Sequence, residues 1–332
     1  MTKILVTGGA GFIGSHLVDS LLQDGHDVYV IDDLSTGQLA NVEHLRSHPR
    51  FHLVVDTIMH HATVNELVHK CDIVYHLAAA VGVRLIVERP AHTLSTNVRG
   101  TDIVMELCAR FNRRVLIAST SEVYGDRGEK VAFRENDRRV YGPTTVNRWA
   151  YAASKEVDEF LALAYNRELG VEVVIARLFN TIGARQTGHY GMVVPRFVAS
   201  ALAGEPIQVY GDGSQTRCFL DVADCVRALK RLMDEPSATG EIFNVGSDRS
   251  IEIGELAELV RARAESTSTI VTVPYSDIYG ADFEDMMHRR PSTEKIHNAI
   301  GWSAEISLEE TVDTVIAQQR ALSGEAFVPA TW

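Results

Sequence analysis

The chain has 332 residues, enough for one large α/β domain or two lobes. Its composition, 45% hydrophobic and 23% charged, is that of an ordinary soluble globular protein, and its net charge of −12 argues against nucleic acid or an anionic membrane as partner. The four cysteines (Cys71, Cys108, Cys218, Cys225) lack paired CxxC spacing, no stretch approaches the roughly 18 apolar residues of a membrane helix, and the apolar N-terminus serves as a first strand rather than a signal peptide; a cytoplasmic protein with reduced thiols is expected.

The opening stretch KILVTGGAGFIG sets the architecture. Ile4, Leu5 and Val6 form a short apolar run typical of a buried parallel strand. Gly8, Gly9, Gly11 and Gly14 follow. Behind them Ile13, Leu17, Leu21 and Leu22 recur at helical spacing until Asp24-Gly25. Strand, glycine turn and helix form the context in which a dinucleotide fingerprint acts. The glycines let backbone N–H groups approach a pyrophosphate at the positive end of the helix. The next strand, Asp27 to Ile31, ends in Asp32 and Asp33. An acid roughly 20 residues after the turn accepts hydrogen bonds from the adenosine ribose and repels a 2′-phosphate. NAD is therefore expected, with Gly8, Gly11, Phe12, Ile13, Gly14, Asp32 and Asp33 around it.

Strand and helix then alternate. Phe51 to Val55 predicts a third strand, followed by Asp56. Val64 to Val68 belongs to a short helix. Ile73 to Leu77 predicts the fourth strand and runs into Ala78, Ala79 and Ala80, small residues that allow close approach. Asn97 to Phe111 predicts a long helix. Val115 to Ala118 predicts a fifth strand, ending in Ser119, Thr120 and Ser121. Trp149 to Leu169 is a second long helix, stopped by Gly170, and Val171 to Ile175 a sixth strand. Such βα repetition predicts a doubly wound, Rossmann-like parallel sheet over residues 1–180. From 181 to 332 glycine and proline are more frequent and elements shorter, up to a terminal helix near Leu308 to Arg320. This half reads as a smaller substrate-binding lobe, with a discontinuous boundary. His60, His61 and His69 are close in sequence, yet no acid or cysteine joins them at a ligand spacing, so no metal site is expected.

Tyr151 and Lys155 in YAASK lie one helical turn apart on one face. Free tyrosine titrates near 10; a neighbouring ammonium and an oxidised nicotinamide both favour its phenolate. Such a phenolate would take a proton from a sugar hydroxyl as hydride leaves the same carbon, with Ser119 or Thr120 holding that hydroxyl.

The chain resembles the extended short-chain dehydrogenase/reductase family of nucleotide-sugar epimerases, dehydratases and decarboxylases. The resemblance spans almost the whole length, through TGGAGFIGSHL at Thr7, HLAA at His76, TNVRGT at Thr96, STSEVYG at Ser119, YAASK at Tyr151, RLFNTIG at Arg177, VYGDGSQTRCF at Val209 and FNVGS at Phe243. It implies tightly held, recycled NAD and oxidation of a sugar carbon, usually C4. It also implies that Asp56, Leu77, Ala78, Ala79 and Asn97 lie by the cofactor, that Asn180 and Arg217 hold the substrate's diphosphate, and that the protein is a homodimer through its two long helices. Ser121 stands where the 4,6-dehydratases of the family carry the acid for water loss, which disfavours dehydration. Glu122, and Arg289 in HRRPS, resemble residues of UDP-glucuronate decarboxylases. Gly82-Val83-Arg84 resembles UDP-glucuronate 4-epimerases instead. Arg84 and Arg185 are candidate clamps for a sugar carboxylate. On these residues the expected activity is an NAD-dependent UDP-sugar 4-epimerase, with UDP-glucuronate decarboxylase as the alternative. A non-catalytic NAD sensor is the alternative of another class, which the intact Tyr151/Lys155 pair opposes.

Overall fold

The computed structural model describes residues 1–82, 89–128, 131–188, 192–279 and 286–324. A seven-stranded parallel sheet organises the molecule. β1 (Lys3–Thr7) leads into helix α1 (Phe12–Gln23), then β2 (Asp27–Asp32), β3 (Phe51–Val55), α2 (His61–Lys70), β4 (Ile73–His76), β5 (Arg114–Thr120) and β6 (Val173–Leu178). The seventh strand, Glu241–Val245, comes from the second half of the chain and pairs with β6. The spatial order is Glu241–Val245, β6, β5, β4, β1, β2, β3. From β1 the chain builds outward through β2 and β3, then returns to place β4 on the other side of β1. That reversal opens a crevice at the carboxyl ends of β1 and β4, where ligands of such sheets bind.

Each face of the sheet is covered by a separate core. One packs Leu17, Leu21, Val28 and Val30 against Leu229, Leu232 and Trp302. The other packs Leu5, Val74 and Ile117 against Val104, Leu107 and Ala162 of the two long helices. Burial on both faces is why the strands read as continuous apolar runs rather than alternating ones. Helix Val222–Asp234 belongs to the first core, so the sheet's covering, like its seventh strand, draws on residues beyond 180.

The remaining residues build a third core from helices Val193–Ala203, Ile253–Arg263 and Leu308–Ser323 with strand Ile207–Tyr210. Two short strands there matter for the site. Thr216–Cys218 and His288–Arg289 run parallel, with Arg217 directly opposite Arg289. No helix among the described residues is long and apolar enough to cross a membrane.

Several element ends differ from expectation. The first long helix is Pro90–Phe111, starting seven residues before Asn97, with proline at its opening turn where the absent N–H costs nothing. β6 covers Val173–Leu178 instead of Val171–Ile175. Its charged Arg177 side chain is fully buried and pairs with Glu159 at 2.6 Å. β5 likewise runs two residues past Ala118, to Thr120.

Candidate active site

The glycine turn packs tightly against β4. Gly8 has φ of +72°, and a Cβ there would lie 2.8 Å from the Ala78 amide nitrogen. A Cβ on Gly14 would lie 2.1 Å from the Gly8 carbonyl oxygen. Gly11 caps α1 with no side chain of its own, so the first-turn N–H groups face the crevice. A cavity of about 510 Å³ opens here, lined among others by Gly8, Gly11, Phe12, Ile13, Gly14, Asp32 and Asp33. Asp56, Leu77, Ala78, Ala79, Ser119, Thr120, Ser121, Glu122 and Tyr151, with Asn180 and Arg289, complete the expected part of its wall. Asp32 accepts hydrogen bonds from the Ala10 and Leu34 amides, both at 2.9 Å. Burial raises its pKa, and these amides oppose that shift. Asp33 accepts from the Ser35 amide at 3.0 Å. Asp56 accepts from Thr63 at 2.7 Å and from the Thr57 amide, and these bonds lower its pKa. A side-chain-free helix start, a wall of small residues and fixed carboxylates at the far end fit a dinucleotide, with the pyrophosphate at Gly11–Gly14 and a ribose at Asp32.

A second cavity of about 200 Å³ adjoins the first, lined by Arg196, Tyr210, Gln215, Arg217, Phe219 and Tyr275 from the smaller lobe. Glu122, Tyr151, Asn180 and Arg289 line both. The reacting atoms of cofactor and substrate would meet at this shared wall. Glu122 is its centre. Arg148 Nη1 donates to Glu122 Oε2 at 2.5 Å, and Arg289 Nη1 donates to Oε1 at 3.2 Å. Arg289 Nη2 also donates to Asn180 Oδ1 at 2.7 Å. Arg217 and Arg289 stand opposite each other on neighbouring strands, and the positive charge they bring to this wall suits an anionic substrate.

Tyr151 is buried beside Glu122. Burial raises its pKa first, then the Glu122 and Asp158 carboxylates; the Thr120 side chain and Arg148 pull it back. Thr120 is thus the hydroxyl that faces Tyr151. Ser119 lines the same cavity, while its Oγ donates to Glu159 Oε1 at 2.6 Å. That bond supports the Glu159–Arg177 pair. Lys155 departs from expectation. Its ammonium donates to Asp158 Oδ2 at 2.8 Å, and Lys155 is absent from the cavity wall. The tyrosine's nearest help in this arrangement is Thr120 and Arg148, and both the Asp158 pair and Arg148 lay outside the sequence expectation. Arg148 stands three residues before Tyr151, a helical spacing that would have pointed to it had the helix been started one residue earlier.

Two further residues take structural roles. Asn97 is buried; its Oδ1 accepts from the Ala80 amide at 2.8 Å and its Nδ2 donates to Ser154 Oγ at 3.1 Å, so it shapes the loop that walls the cavity. Arg185 is not in either cavity. It adopts φ of +67° and pairs with Asp19 of α1 at 2.7 Å, tying the smaller lobe to the first helix rather than clamping a carboxylate. Arg84 lies outside the described residues.

A family model described as GDP-mannose 4,6 dehydratase matches residues 5–315. The chain belongs to the extended short-chain dehydrogenase/reductase family of nucleotide-sugar epimerases, dehydratases and decarboxylases. Among curated members of this family it is 38% identical over 324 residues to the UDP-N-acetyl-alpha-D-glucosaminuronate decarboxylase of Bacillus cytotoxicus, covering 97% of this chain and 99% of that one. It is 39% identical over 314 residues to UDP-glucuronic acid decarboxylase 1 of Danio rerio, covering 95% of this chain and 72% of the relative. Among solved members, the UDP-glucuronic acid 4-epimerase of Bacillus cereus, in complex with UDP-glucuronic acid and NAD, superposes with a TM-score of 0.86 at 26% identity, over 96% of this chain and 99% of that one. The family is NAD-dependent, and the cradle at Gly8–Gly14 and Asp32 meets its requirements.

Proposed function

We propose that this protein is an NAD-dependent decarboxylase of a UDP-hexuronate, acting through a 4-keto sugar. The observation that carries this reading is Glu122, held between Arg148 and Arg289 on the wall shared by the two cavities, directly beside Tyr151. The similarity to two uronate decarboxylases supports it and reverses the order of the sequence reading, which put 4-epimerisation first.

NAD, when bound, supplies the acceptor and later the donor of a hydride. Tyr151 takes the C4 hydroxyl proton, and Thr120 holds the same oxygen. The resulting C4 ketone is β to the C6 carboxylate. Breaking the C5–C6 bond releases CO2 and leaves its electron pair delocalised onto the C4 oxygen. The Tyr151 and Thr120 hydroxyls donate to that enolate oxygen, where charge develops. Arg289, braced by Glu122 and Asn180, faces the anionic parts of the substrate; Arg217 beside it suits the diphosphate. The ketone is activated for CO2 loss once formed, so the protein's task is positioning and protonation at C5.

The proposal extends to a homodimer. Val157 and Phe160, three residues apart on helix Arg148–Leu169, are 44% and 67% exposed, an apolar strip on its outer face.

The deciding experiment is NMR of the purified protein with NAD and, separately, UDP-glucuronate and UDP-N-acetylglucosaminuronate. A UDP-pentose product with CO2 is expected from one of them. Retention of C6 with inverted C4 would overturn decarboxylation in favour of epimerisation, and no turnover of either would defeat the uronate reading.

A further inference from the structure

A fully buried carboxylate stands behind the site. Asp158 follows Tyr151 by seven residues and Lys155 by three, so all three share one helix face. Its Oδ2 accepts from the Lys155 ammonium at 2.8 Å. Its other oxygen, Oδ1, is buried, and the Thr101 hydroxyl faces the carboxylate as a donor. Behind Thr101 a polar chain continues through the core. His76 Nε2 lies 3.1 Å from Thr101 Oγ1, and His76 Nδ1 lies 2.8 Å from Thr7 Oγ1. Thr7 Oγ1 in turn accepts from the Ala78 amide at 3.1 Å. In the Nε2–H tautomer of His76 the Thr7 hydroxyl donates to Nδ1, Nε2–H donates to Thr101 Oγ1, and the Thr101 hydroxyl proton faces Asp158. In that tautomer the chain runs in one direction, from the cofactor wall at Ala78 to the carboxylate that holds Lys155. Every side chain in it is buried.

We propose that Asp158 is a positioning residue for the reaction: it docks the Lys155 ammonium one turn beyond Tyr151 and thereby sets the base strength of that tyrosine. This rests on Tyr151 being the base. The charged groups around the phenol are Glu122 from the turn after β5, and Arg148, Lys155 and Asp158 from its own helix; His76 on β4 stands behind them, held neutral by burial. Glu122 and Asp158 oppose the phenolate, and Arg148 favours it. Replacing Asp158 with Asn deletes one opposing charge and releases the ammonium. Both changes favour the phenolate.

The test measures Asp158→Asn, Asp158→Glu and wild type, all loaded with NAD. One readout is the pH dependence of kcat with UDP-glucuronate. The other is the tyrosinate absorbance titration after subtraction of the matching Tyr151→Phe protein, which needs no turnover. In Asp158→Asn the acid limb and the tyrosinate midpoint move to lower pH by at least about 0.5 unit, and Asp158→Glu stays nearer wild type. A rate loss uniform across pH, with an unmoved midpoint, overturns the proposal and leaves Asp158 a packing residue. Should Asp158→Asn not fold, Thr101→Val is judged by the same shift in the same direction, because a carboxylate with fewer donors is neutralised more readily. Full activity in Tyr151→Phe would defeat the base assignment itself; an inactive Tyr151→Phe with an unmoved Asp158→Asn midpoint defeats only the positioning.

Discussion

In the proposed reaction Tyr151 depends on its surroundings, since burial and the Glu122 and Asp158 carboxylates hold its proton and positive charge nearby releases it. Tyr151→Phe should keep NAD and lose at least about 100-fold in kcat, a typical general-base contribution; chromatography of released nucleotide and steady-state rates check the two halves. His76 gives a prediction about stability. Burial pushes its pKa down to about 3 from an ordinary 6.5. The unfolded chain binds a proton there below pH 6.5 and the native protein does not, so stability is lost as pH falls through the window from 6.5 towards 3. The slope from this one residue is about 1.4 kcal/mol per pH unit. Urea unfolding at pH 7.5 and pH 5 should show that loss in wild type, and a flatter dependence in His76→Gln.

Element ends, more than element interiors, make the site. α1 begins on a glycine and β1 ends against Ala78, so the backbone itself forms the anion cradle. Gly14→Ala places a methyl group 2.1 Å from the Gly8 carbonyl oxygen, a contact that only backbone movement relieves. The turn should open and NAD retention should fall at least tenfold, read by equilibrium binding, while the two cores that do not involve the turn keep their circular dichroism. β5 shows the same economy from the other side. Of its last two residues, both on the cavity wall, the Thr120 side chain reaches Tyr151 and the Ser119 hydroxyl braces Glu159. The short strands Thr216–Cys218 and His288–Arg289 bring two arginines from distant sequence into register.

At the scale of the molecule, two lobes meet over a shared wall, and ties such as Arg185 to Asp19 and His16 to the Ala184 carbonyl at 2.9 Å hold them together beside α1. The outer face of the second long helix is left apolar at Val157 and Phe160. In the proposed homodimer this strip is covered, so Phe160→Glu should convert the protein to monomer in sedimentation experiments without loss of the fold. A wild type that sediments as a monomer would remove the dimer from the proposal.

The sequence by itself determined the architecture and the cofactor turn. Apolar runs bounded by glycines, and Asp32 at the second strand's end, are local patterns whose physics needs few distant partners, and the sheet and the cavity at Gly8–Gly14 follow from them. The same locality put Tyr151 and Lys155 on one face. What the tertiary structure alone decided was where charge goes. Arg177 became a buried strand residue because Glu159 reaches it, Lys155 turned to Asp158, Arg185 left the site for Asp19, and Glu122 gained Arg148 and Arg289. An ion pair shielded from solvent forms only when both partners arrive together, from positions up to 167 residues apart in the case of the partly buried Arg289 and Glu122, so neither residue announces it alone.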